Sequence, residues 1–207
     1  LADLYAEAMM PWEWTQDLVA AAKKVGIDWL SSPFDDSAVD FLETFDIPTY
    51  KIASFELNDL PLIRYVASKG KPMIMSTGMS TVEEIDRAVQ AATESGAPSV
   101  SILRCNSTYP ASSTEMDLAA IPEMIKRWGI PVGLSDHTMS SVTAIGAVAL
   151  GATILEKHIT MRRSDGGPDG EFSLEPHEFA ALVRDVREAS LSLGTARFGP
   201  SASEVNR

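Results

Sequence analysis

Six short apolar runs, each bounded by glycine or proline, constrain the fold of this chain more than any other feature. They span residues 26–35, 47–54, 71–79, 98–110, 130–138 and 151–160. Amphipathic segments with helical spacing lie between them, so strand-like and helix-like stretches alternate with a period of roughly 20 to 30 residues. Apolar strands that alternate with helices form parallel sheets covered on both faces, so the pattern predicts an α/β fold.

Two of the intervening segments carry clear helix signals. A helix is predicted over Thr15–Val25, and a second over residues 80–96, where apolar side chains share one face. Ser80 is the candidate N-cap of the second helix, and Gly96 is its candidate end. These signals place strands and helices in strict alternation.

Two α/β architectures compete for this pattern. A Rossmann-like sheet is expected to carry G-x-G-x-x-G after its first strand, and this motif is missing from the sequence. Polar residues instead end every apolar run, as in a (β/α)8 TIM barrel, whose active site lies at the carboxyl ends of its strands. We predict a TIM barrel that is incomplete, because eight strands are needed and six are present.

The missing strands suggest a longer protein. We expect residues before Leu1 to supply the first two strands and one helix of the barrel. Residues 1–194 are then a partial TIM-barrel catalytic domain. The small, polar segment 195–207 is predicted to be a linker toward a further domain.

The composition limits which cellular compartment and which binding partners are expected for this protein. The net charge of −12 and the pI near 4.6 disfavour a nucleic-acid partner. No stretch approaches the roughly 20 apolar residues of a membrane span, so no membrane partner is expected. The single cysteine, Cys105, excludes an internal disulfide framework and favours the cytoplasm.

Two apolar runs each end on a histidine that follows an acid. His137 lies in "VGLSDHT" and His158 in "ILEKHIT", and on adjacent strands their rings can reach one divalent metal ion. Asp136 and Glu156 are candidates to orient the rings. The alternative, that both imidazoles are structural, stays open, and the third histidine, His177, is predicted to be a surface residue.

A lysine and several hydroxyls end the other runs. Lys51 is costly to bury unless it meets an anion, and with strand-end hydroxyls it can hold a phosphate. A Schiff-base aldolase that uses Lys51 is the alternative, and a non-catalytic barrel that binds a sugar or a protein is a third. The hydroxyl-bearing residues are Ser54, Ser76, Thr77, Ser107 and Ser135.

The loop that follows the sixth run is rich in glycine. Residues 162–176, "RRSDGGPDGEFSLEP", include the acids Asp165, Asp169 and Glu171 and are able to deliver a carboxylate to a polyol substrate. A solvated surface turn explains the composition equally well. At the other end of the chain, Trp12 and Trp14 are predicted to be packing residues.

An ordered series of motifs resembles the sialic acid synthase family. "SSPFD", "YKIASFE", "GKPMIMSTGM", "GLSDHT", "ALGATILEKHIT" and "GGPD-x-x-FSLEP" occur in the order that this family shows. Members condense phosphoenolpyruvate with an open-chain amino sugar. "EAMMPWEW", "SFELNDLPLI" and the loop 162–176 look most like the pseudaminic acid synthase branch, which uses 2,4-diacetamido-2,4,6-trideoxy-L-altrose; the N-acetylneuraminate and legionaminate branches are the alternatives.

The resemblance implies roles for particular residues. His137 and His158 would bind a divalent metal ion, expected to be Mn²⁺ with Mg²⁺ or others able to substitute. Glu156 would lie close to the metal and, with Lys51, belong to the catalytic group. Phosphoenolpyruvate would be held by Lys51, Ser54, Ser76, Ser107 and Ser135. The sugar would lie near Glu56, Tyr109 and Asp169.

Three departures limit what the resemblance implies. This sequence lacks the family's first two strands, which bring a further acid and a further phosphate-binding lysine. It also lacks the antifreeze-like domain through which family members form homodimers. We therefore expect this chain alone to be inactive. Gly170 stands where sialic acid synthases often have histidine, which argues against that branch. Asn106 replaces a frequent threonine.

Overall fold

The structure, a computed structural model, describes residues 9–205 and is built on a five-stranded parallel sheet. The strands are adjacent in chain order, and every neighbouring pair is parallel. Sequential parallel strands joined through helices form one arc of a (β/α)8 barrel, so the predicted fold class is confirmed. The strands are β1 (Tyr50–Ile52), β2 (Met73–Ser76), β3 (Val100–Cys105), β4 (Val132–Asp136) and β5 (Leu155–Lys157).

Helices connect the strands and cover the outer face of the arc. Short 3₁₀ turns at Trp12–Trp14, Ser54–Glu56, Ser113–Glu115 and Arg163–Asp165 complete the connections. The helices are α1 (Thr15–Val25), α2 (Asp36–Glu43), α3 (Leu60–Ala67), α4 (Val82–Glu94), α5 (Ala120–Trp128), α6 (Ser141–Ala149), α7 (Pro176–Leu193) and α8 (Ala202–Val205).

The first of the six predicted strands forms only one bridge. Ser31 pairs with Tyr50, and the carbonyl of Ser31 accepts a hydrogen bond from Lys51 N at 3.3 Å. Pro33, two residues further on, has no N–H to donate, and β1 itself is only three residues long. The prediction of a full strand over 26–35 is therefore wrong, although the segment runs along the edge of β1.

The helix predicted over 80–96 has its N-cap one residue later than proposed. Thr81, and not Ser80, caps α4 through a reciprocal pair of bonds with Glu84. This capping box satisfies two backbone N–H groups that a helix start leaves unpaired. The helix ends at Glu94, and Gly96 follows with a φ of 110°. The predicted bounds of α1 are confirmed.

Side chains alternate across the sheet and divide it into two faces. The outer face packs against the helices in one apolar core that includes Tyr50, Ile52, Met75, Ile102 and Leu134. The intervening residues face the inside of the arc, where Gly133 is required because a Cβ there would lie 2.4 Å from the carbonyl oxygen of Ile154. The inner face is thus free to carry polar side chains toward the strand ends.

The two ends of the chain bear on other predictions. Trp12 stacks on Phe41 with ring centroids 4.3 Å apart, as predicted, whereas the side chain of Trp14 is mostly exposed.

Helix α7 ends at Leu193, just before the predicted domain boundary, and Phe198 beyond it is fully exposed. The role of the tail as a linker stays a prediction. Residues 1–8, which include the start of "EAMMPWEW", and residues 206–207 lie outside the described part.

We find no helix among residues 9–205 with the length and apolar character that crossing a membrane requires.

Candidate active site

A cavity of about 260 Å³ opens at the carboxyl ends of the strands. Eight of the eleven predicted site residues line it, although they come from five different strands or strand ends. Ser32, Ala53 and Cys105 complete the lining. The eight predicted residues are Lys51, Ser54, Ser76, Tyr109, Ser135, His137, Glu156 and His158.

The period of two in β-strands explains why these side chains converge. Ser135 and Glu156 are register partners on β4 and β5 and point to the inside of the arc. His137 and His158 each follow two residues later, so their rings project to the same side. The two motifs quoted above thus deliver four side chains to one cavity.

Lys51 is the buried cation of the cavity. Its ammonium Nζ lies 2.7 Å from Ser76 Oγ, 3.2 Å from Glu156 Oε2 and 3.2 Å from the carbonyl oxygen of Ile52. Ser135 Oγ donates to the other carboxylate oxygen of Glu156 at 2.7 Å. The side chain of Glu156 is 39% exposed, so this charge pair remains open toward the cavity.

The two histidine rings face each other across the cavity. Their centroids are 5.3 Å apart, and Tyr109 packs against both, at 4.2 Å from His137 and 6.0 Å from His158. His137 Nδ1 lies 2.7 Å from the carbonyl oxygen of Asn106, which can only accept a hydrogen bond. Nδ1 therefore carries the proton, and the lone pair of the neutral ring is on Nε2.

The surroundings shift the pKa values of the two histidines in opposite directions. Burial alone lowers the pKa of His137, but its interactions with the thiol of Cys105 and the carbonyl of Asn106 outweigh burial and raise it. Burial lowers the pKa of His158, and Asp169, whose Oδ2 lies 3.6 Å from His158 Nδ1, opposes this shift only in part. Burial therefore favours a neutral ring, able to bind a metal, at His158.

The residues before the histidines behave differently from each other. Glu156, two residues before His158, shares its face, whereas Asp136, one residue before His137, points to the outer face. Asp136 binds Lys157, the N–H of Thr138 and the hydroxyl of Thr143. Asp136 therefore contacts neither ring, because the alternation of side chains turns it away, and the prediction that it orients the rings is wrong for any direct contact.

Gly78 makes room for a cluster of small polar groups beside the cavity. A Cβ at this position would lie 2.1 Å from Ser107 Oγ and 2.8 Å from Ser54 Oγ. The backbone N–H of Gly78 donates to Ser54 Oγ at 3.1 Å. Ser107 does not line the main cavity, but its hydroxyl lies 3.7 Å from the thiol of Cys105, which does.

Two further predicted residues lie at the margin. Glu56 does not line the cavity, and its Oε2 is buried with no hydrogen-bond partner in the structure. Burial raises the pKa of Glu56, while the charge of Lys51 acts in the opposite direction. Asp169 reaches the site only through His158, and most of its side chain is exposed. His177 is exposed near the start of α7, as predicted.

Three contributors to the site are not among the residues predicted from the sequence. Cys105 lines the cavity, and although burial raises the pKa of its thiol, bonds with His137 and Ser54 lower it to about 7. Phe172 packs against His158 at 5.1 Å, and the carbonyl of Asn106 fixes His137. The alternation along β3 was enough to place Cys105 inside the arc, whereas no sequence signal reports a carbonyl contact.

The donor set fits a metal ion that also binds water or substrate oxygens. No group of three or more His, Cys, Asp or Glu side chains within residues 9–205 is arranged to hold a metal. Two imidazoles near one another are still good ligands for Mn²⁺ or Zn²⁺ when both are unprotonated, and the hydrogen bond from His137 to a carbonyl is typical of metal-binding histidines. His137 and His158 therefore fit the predicted ion as a partial ligand set.

Comparison with known proteins identifies the family. The NeuB family profile matches residues 1–198, and the chain belongs to this family. The chain is 40% identical over 197 residues to the pseudaminic acid synthase of Campylobacter jejuni, a match that covers 95% of this chain and 57% of that protein. The predicted resemblance to sialic acid synthases is thereby confirmed.

Two further relatives extend the comparison. The N,N'-diacetyllegionaminic acid synthase of Campylobacter jejuni is 36% identical over 191 residues, which are 91% of this chain and 57% of that protein. The crystal structure of N-acetylneuraminic acid synthetase from Leptospira borgpetersenii, in complex with citrate, superimposes with a TM-score of 0.92 at 31% identity. It matches 99% of this chain and 71% of that one. The chain thus spans a little over half the length of the curated relatives it matches.

Proposed function

We propose that this chain carries the catalytic cavity of a pseudaminic acid synthase. Such an enzyme is a transferase that condenses phosphoenolpyruvate with 2,4-diacetamido-2,4,6-trideoxy-L-altrose and water, and releases pseudaminic acid and phosphate. The observation that supports the proposal most strongly is the convergence of Lys51, Glu156, His137 and His158 on one cavity. The identity of 40% to the Campylobacter jejuni enzyme favours this branch of the family.

We assign phosphoenolpyruvate to the part of the cavity around Lys51. A buried ammonium surrounded by hydroxyl groups binds phosphate and carboxylate oxygens through charge-assisted hydrogen bonds. Because the site is enclosed, this attraction is screened less than the negative charge of the outer surface. Ser54, Ser76 and Ser135 line the same region, and Ser107 stands beside it, so these hydroxyls complete the anion pocket.

We assign a divalent metal ion, Mn²⁺ with Mg²⁺ or others as substitutes, to His137 and His158. When bound, the ion supplies Lewis-acid polarisation of the sugar aldehyde oxygen. Glu156 holds the ammonium of Lys51 and lies within electrostatic range of both rings. Its exposed carboxylate is able to accept a proton from the water that joins the reaction.

The reaction forms one carbon–carbon bond and replaces the carbon–oxygen bond between C2 and phosphate by one to water. C3 of phosphoenolpyruvate attacks the aldehyde carbon, whose oxygen takes up a proton and becomes a hydroxyl. Water adds to the oxocarbenium at C2 and gives one proton to Glu156, which balances the proton taken up by the aldehyde oxygen. Phosphate then leaves with its bridging oxygen and the second proton of the water, C2 becomes a ketone, and Lys51 neutralises the charge of the phosphate. The roles of Lys51 and Glu156 are therefore complementary, one for the anion and one for the proton.

We place the sugar along the side of the cavity formed by Tyr109. Its ring packs on both imidazoles, so a sugar whose aldehyde reaches the metal site passes over Tyr109. We also assign Glu56 and Asp169 to the sugar, and the carboxylate of Asp169 lies beside His158. We further infer that the intact protein is a cytoplasmic homodimer, because Cys105 is a free thiol and members of the family pair through a domain outside this chain.

The test is a sugar panel with the intact protein. Phosphoenolpyruvate, Mn²⁺ and each candidate sugar are mixed, and phosphate release is measured with the unaltered protein and with His137→Ala. We expect release with 2,4-diacetamido-2,4,6-trideoxy-L-altrose and none with the variant. Release only with N-acetylmannosamine would contradict the branch, and equal release by the variant would contradict the metal role.

The contacts of Lys51 argue against a Schiff-base aldolase. A lysine nucleophile must be unprotonated, whereas three acceptors surround the Lys51 nitrogen and stabilise the ammonium. Borohydride in the presence of substrates and EDTA distinguishes the two mechanisms. We expect no reduced adduct on Lys51, and a stable adduct would replace the proposed function by the aldolase.

A further inference from the structure

Two buried charged residues lie directly behind the histidines, on the outer face of the sheet. Asp136 and Lys157 are register partners and form the last pair of the β4–β5 ladder. Their side chains are 1% and 4% exposed, and Asp136 Oδ2 lies 2.9 Å from Lys157 Nζ. His137 and His158 are the next residues along the two strands. The ion pair therefore joins the strands at the point where both histidines leave the sheet.

The same two side chains also bind the backbone beyond His137. Asp136 Oδ1 accepts a hydrogen bond from the N–H of Thr138 at 2.9 Å, and the ammonium of Lys157 donates to the carbonyl of Thr138. The residues on both sides of His137 are consequently fixed to Lys157. Because Lys157 directly precedes His158, one small network connects the backbone of the two histidines.

Helix α6 anchors this network to the rest of the fold. The hydroxyl of Thr143 donates to Asp136 Oδ2 at 2.9 Å and lies 2.8 Å from Thr138 Oγ1. The carboxylate of Asp136 thus contacts an ammonium, a backbone N–H and a hydroxyl. A buried carboxylate with this many donors has little freedom to move.

Tyr109 packs against both rings, but the backbone hydrogen bonds of the two histidine carbonyls lead to different partners. The carbonyl of His137 accepts from the N–H of Ala111, and the carbonyl of His158 accepts from the N–H of Leu174, each at 3.0 Å. These partners belong to two separate loops. Two ligands of one ion must keep their separation to within about 0.5 Å, and loops hold such geometry less well than packed elements.

We propose that the Asp136–Lys157 pair is a positioning element that sets the separation of His137 and His158 and so tunes the affinity of the metal site. Neither residue touches the rings, and both act through the backbone. This inference rests on the metal role given to the histidines under the proposed function. A purely structural role is the alternative, and the two make different predictions for paired substitutions.

The decisive variant removes both charges at once. Removal of one partner leaves a buried charge unpaired and destabilises the fold, whereas replacement of both by uncharged groups is often neutral. We expect Asp136→Asn and Lys157→Met to lower the melting temperature separately. We expect the double variant to recover it, while the ion pair and the hydrogen bond from residue 157 to the carbonyl of Thr138 remain lost.

Metal affinity distinguishes the two roles of the pair, because a purely structural role would leave the Mn²⁺ affinity of the folded protein unchanged. Binding is followed as the loss of the free Mn²⁺ signal in electron paramagnetic resonance during titration of the intact protein. We expect the double variant to bind Mn²⁺ about 10- to 100-fold more weakly, the range typical for residues that orient metal ligands. The exposed pair Asp86–Arg127 provides a matched control, and Asp86→Asn/Arg127→Met is expected to leave the Mn²⁺ affinity unchanged.

A milder pair of variants keeps the test decisive if the double variant does not fold. Thr143→Val removes one hydrogen bond to Asp136 with little change in shape, and Thr143→Ser retains it. We expect Thr143→Val alone to weaken Mn²⁺ binding, by about two- to tenfold. Unchanged affinity in the folded double variant, or in Thr143→Val where the double variant is unfolded, overturns the inference. Failure of the unaltered protein to bind Mn²⁺ overturns the proposed metal role and this inference together.

Discussion

Two lysine–carboxylate pairs lie on opposite faces of the same small sheet. Lys51 and Glu156 meet at 3.2 Å on the inner face, and Lys157 and Asp136 meet at 2.9 Å on the outer face. Glu156 and Lys157 are consecutive residues of β5. Both lysines are buried, yet the cavity at the strand ends is lined by the inner pair and not by the outer pair.

The partners of the carboxylates explain the difference. Asp136 is 1% exposed and is surrounded by protein donors, so it has no capacity left for a ligand. The side chain of Glu156 is 39% exposed and faces the cavity with an ammonium beside it. A buried charge that is fully bonded within the protein stabilises or positions the structure, whereas one that faces a cavity is available for chemistry.

The largest expected effect is a difference in stability between variants of the two pairs. Lys157→Met leaves Asp136 charged and buried, and we expect it to lower the free energy of unfolding by about 3–5 kcal/mol. Lys51→Met leaves Glu156 partly solvated and bonded to Ser135, and we expect a change of about 1 kcal/mol or less. Urea denaturation of both variants measures the difference, and equal losses would remove the distinction between the two faces.

For enzymatic activity we expect the opposite order, with a larger loss when the inner pair is changed than when the outer pair is changed. Lys51→Met removes the cation of the anion pocket, and we expect kcat/KM for phosphoenolpyruvate to fall by about 10²- to 10³-fold. Lys51→Arg retains the charge with a different shape and is expected to recover part of the loss. Steady-state phosphate release is the measurement, and near-normal activity in Lys51→Met would show that the inner pair is structural.

A glycine substitution tests the packing of the anion pocket. The Cβ in Gly78→Ala would displace Ser107 and Ser54, and we expect kcat/KM to fall by about 10- to 100-fold. Gly70→Ala is the control, because Gly70, unlike Gly78, has a positive φ, of 69°, whereas the space around its missing Cβ is open. We expect the control to lose stability without loss of activity. Similar kinetics in both variants would contradict the assignment of the pocket.

The smallest effect is expected at the surface. Asp86 pairs with Arg127 at 2.6 Å, but both side chains are more than 40% exposed. We expect Asp86→Asn to leave the urea midpoint almost unchanged, and to have less effect still in high salt. A loss as large as that of Lys157→Met, measured in the same urea series, would show that burial does not decide the strength of these pairs.

Periodicity and strand-end chemistry made the barrel arc and most of the cavity predictable. Lys51 stood out as the only charged residue of its own apolar run, 47–54, and the two histidine motifs ended adjacent strands. The position of Asp136 was also open to prediction, since a one-residue offset from His137 reverses the side chain. The alternation of side chains along a strand thus explains both why the cavity residues were predicted correctly and why the role of Asp136 was predicted wrongly.

Other features depend on contacts that no local pattern encodes. Ser31 forms a single bridge because β1, the strand beside it, is only three residues long and limits how much of the edge segment can pair. The fixing of His137 by the carbonyl of Asn106 depends on how a loop folds back over the strand end. The burial of one Glu56 oxygen without a partner likewise arises from packing among elements distant in sequence.

The central claim is that His137 and His158 bind the same ion beside Lys51. Pulsed electron paramagnetic resonance of the Mn²⁺-loaded intact protein counts the imidazole nitrogens coupled to the metal. We predict two coupled nitrogens in the unaltered protein and one in each of His137→Ala and His158→Ala. A spectrum without imidazole coupling, or one that neither substitution changes, would contradict the account.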